Sequence, residues 1–370
     1  MDFLRCEPSV CVVGEDYVIV VNTAKNGICL IKAGDKIFYE AKGGIIVSQK
    51  AIFKIRIPQN VLDEEKNYEI IFKEEIEKKS YWSEFKEPLS AKFAFRPITK
   101  TENINIYHIA DVHYHFDLGE KLAGFFKDGP DLFVVNGDIG EVNSDEDFFK
   151  VSEFVGRISK GEIPVLFVRG NHDTRGKSAE RFTDFYASDG DKTYFYFKVG
   201  NIEGVVLDCG EDKPDISAEY DNSANTPDIY RGINKFHEYR SEQTEFLKNL
   251  KFARKDSVKI AVCHIVPVMT TYNPGDIFDI ERETYSEWNA QLERLGVKMM
   301  LCGHLHKAFI LQKDDVRNTL PHDYPVVVGS ACFFDKNEFW GAAIVLSSDK
   351  ADVYFTDTQT KICEEYRLNF

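Results

Sequence analysis

No cysteine framework is present. Eight cysteines are scattered over 370 residues (Cys6, Cys11, Cys29, Cys209, Cys263, Cys302, Cys332 and Cys363), with no CxxC pair. They read as reduced thiols rather than a disulfide scaffold. Long apolar runs are missing too, and residues 1–8 have neither the basic nor the apolar region of a signal peptide. The expectation is a cytoplasmic protein with no membrane partner. Basic charge is also scarce: 46 Lys plus Arg stand against 61 Asp plus Glu, a net of −15. That balance argues against coating nucleic acid or acting on long polynucleotides, which call for a basic face. Internal repeats and low-complexity tracts are absent. What is there is 43% hydrophobic and 13% aromatic, enough to exclude disorder. The length exceeds the roughly 250 to 300 residues at which single cores stop growing, so two or three domains are expected.

The first hundred residues read as β-structure. Phe53, Ile55 and Ile57 alternate with polar residues, as do Tyr68, Ile70 and Phe72, the period of half-buried strands. Further strands are predicted at 17–21, 28–32, 36–39 and 92–95, separated by turn clusters such as Ala33-Gly34-Asp35 and Gly43-Gly44. Short strands at close spacing suggest a small sandwich. Leu62 and Tyr68, six residues apart, resemble the tyrosine corner of fibronectin type III and immunoglobulin-like domains. Arg96-Pro97-Ile98-Thr99-Lys100 reads as a linker, which divides the chain into a β-sandwich over 1–98 and a second domain over 99–370.

Beyond that linker, apolar runs of strand length recur at 104–110, 132–136, 165–168, 204–207, 260–263 and 299–302. Helix-like stretches lie at 144–159, 177–186, 241–250 and 286–295, the third opened by Ser241 as an N-cap. The fold class is therefore α/β: a layered β core flanked by helices, preceded by a small all-β sandwich. The polar segment 211–239 reads as an inserted loop of the kind that forms lids.

The chemistry lies where those strands end. Ligands collect at the carboxyl ends of strands in α/β sheets, and here five such ends carry metal-binding side chains. They are Asp111-Val112-His113, Asn136-Gly137-Asp138, Gly170-Asn171-His172-Asp173, Cys263-His264 and Gly303-His304-Leu305-His306. Each fragment alone has a bland reading as a turn or a packed imidazole. Five in succession, each just after a predicted strand, do not. His108, inside the first strand, reads as packed, and so do Cys263 and Cys302.

This constellation resembles that of the calcineurin-like metallophosphoesterase superfamily, over about residues 103–350 and with all five motifs present. The resemblance implies two divalent transition metal ions, Mn, Fe or Zn. Asp111, His113, Asp138 and His306 would hold one, and Asp138, Asn171, His264 and His304 the other, with Asp138 bridging. Hard or borderline cations take these donor types, and a carboxylate can span a metal pair about 3.5 to 4 Å apart. Two such ions, two carboxylates and a bridging hydroxide leave about one positive charge, so the cluster attracts a phosphoryl group even in an acidic protein. The implied reaction is in-line attack of that hydroxide on phosphorus, with His172 as general acid and Asp173 orienting its ring. Arg175, His115, Tyr230 and Arg231 are candidates for substrate contact, and Arg169 for phosphate.

Sandwich followed by metallophosphoesterase is the domain order of purple acid phosphatases, but their tyrosine ligand is absent. Glu141 stands in its place, and the first motif is Asp-x-His. The phosphate-binding Arg of the protein serine/threonine phosphatase branch is missing as well. The motifs are closer to the branch that includes cyclic-nucleotide phosphodiesterases. The expected function is hydrolysis of a phosphomonoester or small phosphodiester. The alternatives are a cyclic-nucleotide phosphodiesterase or nuclease, or a non-catalytic module of the same fold. The N-terminal domain is the candidate surface for a protein partner or for self-association.

Overall fold

The uninterrupted apolar runs form strands covered on both faces, and they assemble into two sheets. The computed structural model describes residues 2–213, 234–269 and 280–370. Among these, nine strands form one sheet in the order Ile362–Asn369, Lys350–Thr356, Gly341–Leu346, Ile104–Ile109, Leu132–Asn136, Pro164–Val168, Ser9–Val13, Asp16–Asn22 and Ile52–Pro58. Its centre is parallel: Ile104–Ile109, Leu132–Asn136, Pro164–Val168 and Ser9–Val13 run the same way. A second sheet runs Phe195–Val199, Ile202–Leu207, Val258–Cys263, Met299–Cys302, Val326–Val328 and Phe309–Leu311. Side chains of both sheets, such as Ile106, Val134, Val206, Ile260 and Leu301, share one apolar core. The outer face of the second sheet packs Leu207, Ala261 and Met300 against Leu247, Trp288 and Leu292 of two helices, Phe236–Asn249 and Arg282–Arg294.

The N-terminal hundred residues are β-structure apart from one short helix, Gln59–Glu65. Phe53, Ile55 and Ile57 alternate into the core as their spacing requires, and so do Tyr68, Ile70 and Phe72. A five-stranded sheet, ordered Leu89–Ala94, Asn67–Lys78, Gly27–Ala33 and Lys36–Tyr39 with Ser83–Phe85 beside Asn67–Lys78, forms one layer. The opposite layer is Ser9–Val13, Asp16–Asn22 and Ile52–Pro58, the three strands that end the nine-stranded sheet. The main sheet therefore crosses the 98/99 division: Val10 pairs with Pro164 and Cys11 with Val165. Tyr68 does not close a tyrosine corner within its own module. Its hydroxyl donates instead to the carbonyl of Gly161 at 2.9 Å, far along the chain.

Three helical expectations shift. The helix at Asp145–Ser159 follows Ser144 and carries Asp145, Glu146 and Asp147 in its first turn, where acidic groups complement the helix dipole. The helix predicted to open at Ser241 opens at Phe236; Ser241 lies one turn inside and donates to the His237 carbonyl at 3.0 Å. The stretch 177–186 holds only two short turns, Ala179–Arg181 and Phe182–Phe185, and the helix predicted at 286 begins at Arg282. A short helix at Phe116–Ala123 went unpredicted. Among the described residues, no helix is long and apolar enough to cross a membrane.

Candidate metal centre

Five strands from both sheets deliver the site. Asp111 and His113 follow Ile104–Ile109, Asp138 follows Leu132–Asn136, Asn171 follows Pro164–Val168, His264 follows Val258–Cys263, and His304 and His306 follow Met299–Cys302. The backbone turns sharply at these points. Asp111, His113, Asp138, His304 and His306 all have positive φ, from 43° to 72°, a conformation that costs of order 1–3 kcal/mol per residue and persists only where the surroundings enforce it. The loops also approach closely. A Cβ on Gly137, itself at φ 77°, would stand 2.5 Å from Gly170 and 2.7 Å from His264 Nδ1.

The side chains converge. Asp111, Asp138, Asn171 and His264 are buried. His264 Nε2 lies 3.2 Å from Asp138 Oδ2 and 3.6 Å from Asp111 Oδ1, and His306 Nε2 lies 3.6 Å from that same Asp111 oxygen. His113 Nε2 and His306 Nε2 are 3.1 Å apart. The Asn171 amide lies among them, its Oδ1 2.9 Å from His304 Nδ1.

The electrostatics agree. Burial pulls His113 down to about 4 and His304 to about 3, so both are neutral at pH 7 with a lone pair to offer. Burial also depresses His264, but Asp138 and Asp111 outweigh it and push it up to about 10. Burial raises the Asp111 carboxyl, whereas at Asp138 the burial effect is overcome by His264 and the carboxyl is held low. On side chains alone the pocket thus recruits a cation, the role a divalent ion fills more strongly. The distal nitrogen of His264 is supported as a metal-binding imidazole requires, its Nδ1 2.6 Å from the Asn136 carbonyl. The donor set fits a divalent cation: the ligand atoms of Asp111, His113 and His306 gather closely enough to hold one, and so do those of Asp111, Asp138 and His264 and of His113, Asp138 and His172.

The remaining candidates fall in different places. His172 is at the mouth, its Nε2 3.9 Å from Asp138 Oδ2 and 3.2 Å from Arg175 Nη1. The expected pairing of Asp173 with that ring is not formed. Asp173 is buried, and its Oδ2 accepts from the N–H of Gly170 at 2.7 Å and of Asp138 at 3.1 Å, so it braces two ligand loops. Arg169 is turned away: it donates to Asp208 at 2.7 Å and is walled by Phe182, Phe236 and Tyr239. Arg175 is at the site, forked onto Glu211 at 2.6 and 2.5 Å and onto Asp212 at 2.9 Å. Those two carboxylates were not foreseen; only their place at the start of a polar loop could have drawn attention to them. His115 sits beside the mouth, stacked on Phe334. Glu141 is exposed and accepts from Asn143 at 2.6 Å. Tyr230 and Arg231 lie outside the described residues, as does most of the 211–239 loop.

Comparison with known proteins is consistent with this geometry. Residues 104–308 match the family model described as calcineurin-like phosphoesterase. Two curated relatives, each named serine/threonine-protein phosphatase CPPED1, from Pongo abelii and Homo sapiens, are 26% identical over 192 residues, covering 48% of this chain and 54% of theirs. The chain thus spans about half the length of the curated relatives it matches. The purple acid phosphatase PPD1 of yellow lupin (Lupinus luteus) superposes with a TM-score of 0.58 at 10% identity, covering 98% of this chain and 74% of that one. A structure described as PhoD gives 0.58 at 12% identity, covering 100% and 89%. At such identities these structures speak for the fold alone.

Proposed function

The chain belongs to the calcineurin-like phosphoesterase family, and from that premise we propose that it hydrolyses a phosphomonoester or small phosphodiester through a dinuclear centre. The observation that carries this reading is the convergence of Asp111, His113, Asp138, His264 and His306, whose ligand atoms gather in groups close enough to hold a cation. Two divalent ions, Mn, Fe or Zn, would supply there a water of near-neutral pKa and a Lewis acid for the phosphoryl oxygens. The protein's own part is positioning. Asp111, His113, Asp138, Asn171, His264, His304 and His306 would hold the ions, and Asp173 accepts from the Gly170 and Asp138 N–H groups. At the mouth Arg175 Nη1 donates to His172 Nε2 at 3.2 Å, and burial, with Arg175 beside it, holds the imidazole below its ordinary pKa; His172 would act as general acid once protonated, its bond to Arg175 exchanged for one to the leaving oxygen. The two curated relatives are named protein phosphatases, so a phosphoserine peptide belongs among the substrates to try.

The same proposal takes residues 1–98 as a fibronectin type III-like module joined to the catalytic sheet, a reading its strand order supports. It also places the protein in a reducing compartment such as the cytoplasm, in keeping with eight free thiols. The test is metal analysis followed by a panel of monoester, diester, cyclic nucleotide and phosphopeptide at fixed Mn²⁺. Close to two ions per chain is expected, with loss of both metal and turnover in Asp138→Asn. His172→Asn should keep metal and lose most turnover of esters with poor leaving groups. A reconstituted protein that binds no metal would sink the proposal.

A further inference from the structure

The mouth of the site has two unlike flanks. On the His172 side the charges close on one another: Arg175 and Lys213 are held by Glu211 and Asp212. On the His113 side the lining is aromatic. A hairpin pairing Cys332–Phe333 with Glu338–Phe339 is tied to the ligand loops by Cys332. The N–H of Cys332 donates to the His306 carbonyl at 3.4 Å, and its Sγ lies 3.4 Å from the Asp111 carbonyl. That anchorage fixes Phe334, the next residue but one. Its ring stacks on His115 with centroids 3.9 Å apart and planes 14° from parallel, and it meets His113 edge-on at 6.4 Å. The fully buried Phe339 supports it at 5.7 Å. His115 is held in turn at the start of the Phe116–Ala123 helix. Both rings of the stack are half-buried, so part of each stays exposed beside the candidate ligand His113.

We propose that the His115–Phe334 stack is a subsite for a flat aromatic group of the substrate, an aryl or nucleobase portion esterified to the phosphate. The inference rests on the phosphoester reading, because the phosphoryl group must sit at the metal centre for its ester group to reach the stack. A preformed, rigid pair of rings favours a third ring by stacking at little ordering cost. An alkyl group of the same reach gains only contact area. The chemistry distinguishes aromatic from aliphatic esters and leaves the phosphoryl group's own binding to the metals.

The experiment is equilibrium binding of phenylphosphonate and methylphosphonate to the Mn²⁺-loaded protein, which needs no turnover. The wild-type protein should bind the phenyl compound about tenfold more tightly. Phe334→Leu should bring the two within about twofold while leaving methylphosphonate affinity unchanged. Because Phe334 abuts His113, bound manganese is measured in the variant; if it falls, His115→Leu carries the same comparison. No phenyl preference in the wild type overturns the proposal, as does a preference that survives both substitutions. Failure of every ester in the substrate panel would instead count against the hydrolase reading, and the phosphonate preference would still be read.

Discussion

Replacing Tyr68 by Phe measures how tightly the N-terminal module is joined to the catalytic sheet. The Tyr68 hydroxyl is buried and donates to the Gly161 carbonyl at 2.9 Å. Phe keeps the ring and its stacking on Phe93, 5.4 Å away, and removes only that bond. A lost hydrogen bond that leaves a buried carbonyl unpartnered costs about 1–3 kcal/mol. The shift in melting temperature then depends on how much of the chain unfolds together. If all of it does, the unfolding entropy is roughly 0.8 kcal/mol/K and about 2 kcal/mol lowers a single transition by about 2–3 °C. If residues 1–98 melted alone, the entropy would be roughly 0.2 kcal/mol/K and an early transition would drop by about 10 °C. The sheet that runs from Pro164–Val168 into Ser9–Val13 leads us to expect the first result by differential scanning calorimetry at fixed scan rate. An early, strongly shifted transition with an unmoved second one would refute the reasoning.

Two further outcomes are expected. Glu211→Gln breaks the charge-assisted fork that holds Arg175; bonds of that kind contribute about 1.5–3 kcal/mol, so kcat/KM should fall by about 10- to 100-fold with metal content unchanged. Unaltered kinetics would show that the fork does not serve the reaction. The third concerns His108, whose pKa burial and the nearby His264 depress to about 3. Its unfolded value is about 6.5, so between those values the unfolded chain binds a proton that the folded chain refuses. Its contribution to stability is therefore whole above about 6.5 and is lost as pH falls, at up to about 1.4 kcal/mol per pH unit. In urea titrations between pH 6 and 4, His108→Gln should show a shallower loss by about one proton; equal slopes would contradict it.

The site was more legible than the scaffold because its information is local. Each strand-end motif carries its own chemistry, so Asp111, His113, Asp138, Asn171, His264, His304 and His306 could be named without knowing which strands were neighbours. What escaped depended on distant partners. Arg169 and Arg175 looked alike in sequence, but Asp208 and an aromatic wall sequester the first while Glu211, 36 residues from the second, presents it at the mouth. Asp173 looked like a partner for the ring beside it, yet the loop of Asp138 comes close enough for its backbone to claim that carboxylate. Ser9–Val13 has a short apolar run of its own, but its place in the main sheet depends on Pro164–Val168, far along the chain. Ser241 had the chemistry of a cap, but Phe236 to Arg240 continue the helix one turn earlier, where Arg240 is buried against the Cys209 and Glu211 carbonyls.

The joint between the modules bears on the chemistry through one strand. Pro164–Val168 pairs on one side with Leu132–Asn136, which leads to Asp138, and on the other with Ser9–Val13. Its own carboxyl end leads to Gly170, Asn171, His172 and Asp173. Without Ser9–Val13 this fully buried strand would be a bare apolar edge, the kind that pairs with other chains. The positive φ at five site residues makes that edge matter, since strained loops hold their shape only while the strands beneath them cannot shift. The N-terminal strands therefore help to hold Asn171 and Asp138 in register with His264 and His304 from the opposite sheet. On this argument the first module serves the candidate metal centre by supporting the strand that leads to it.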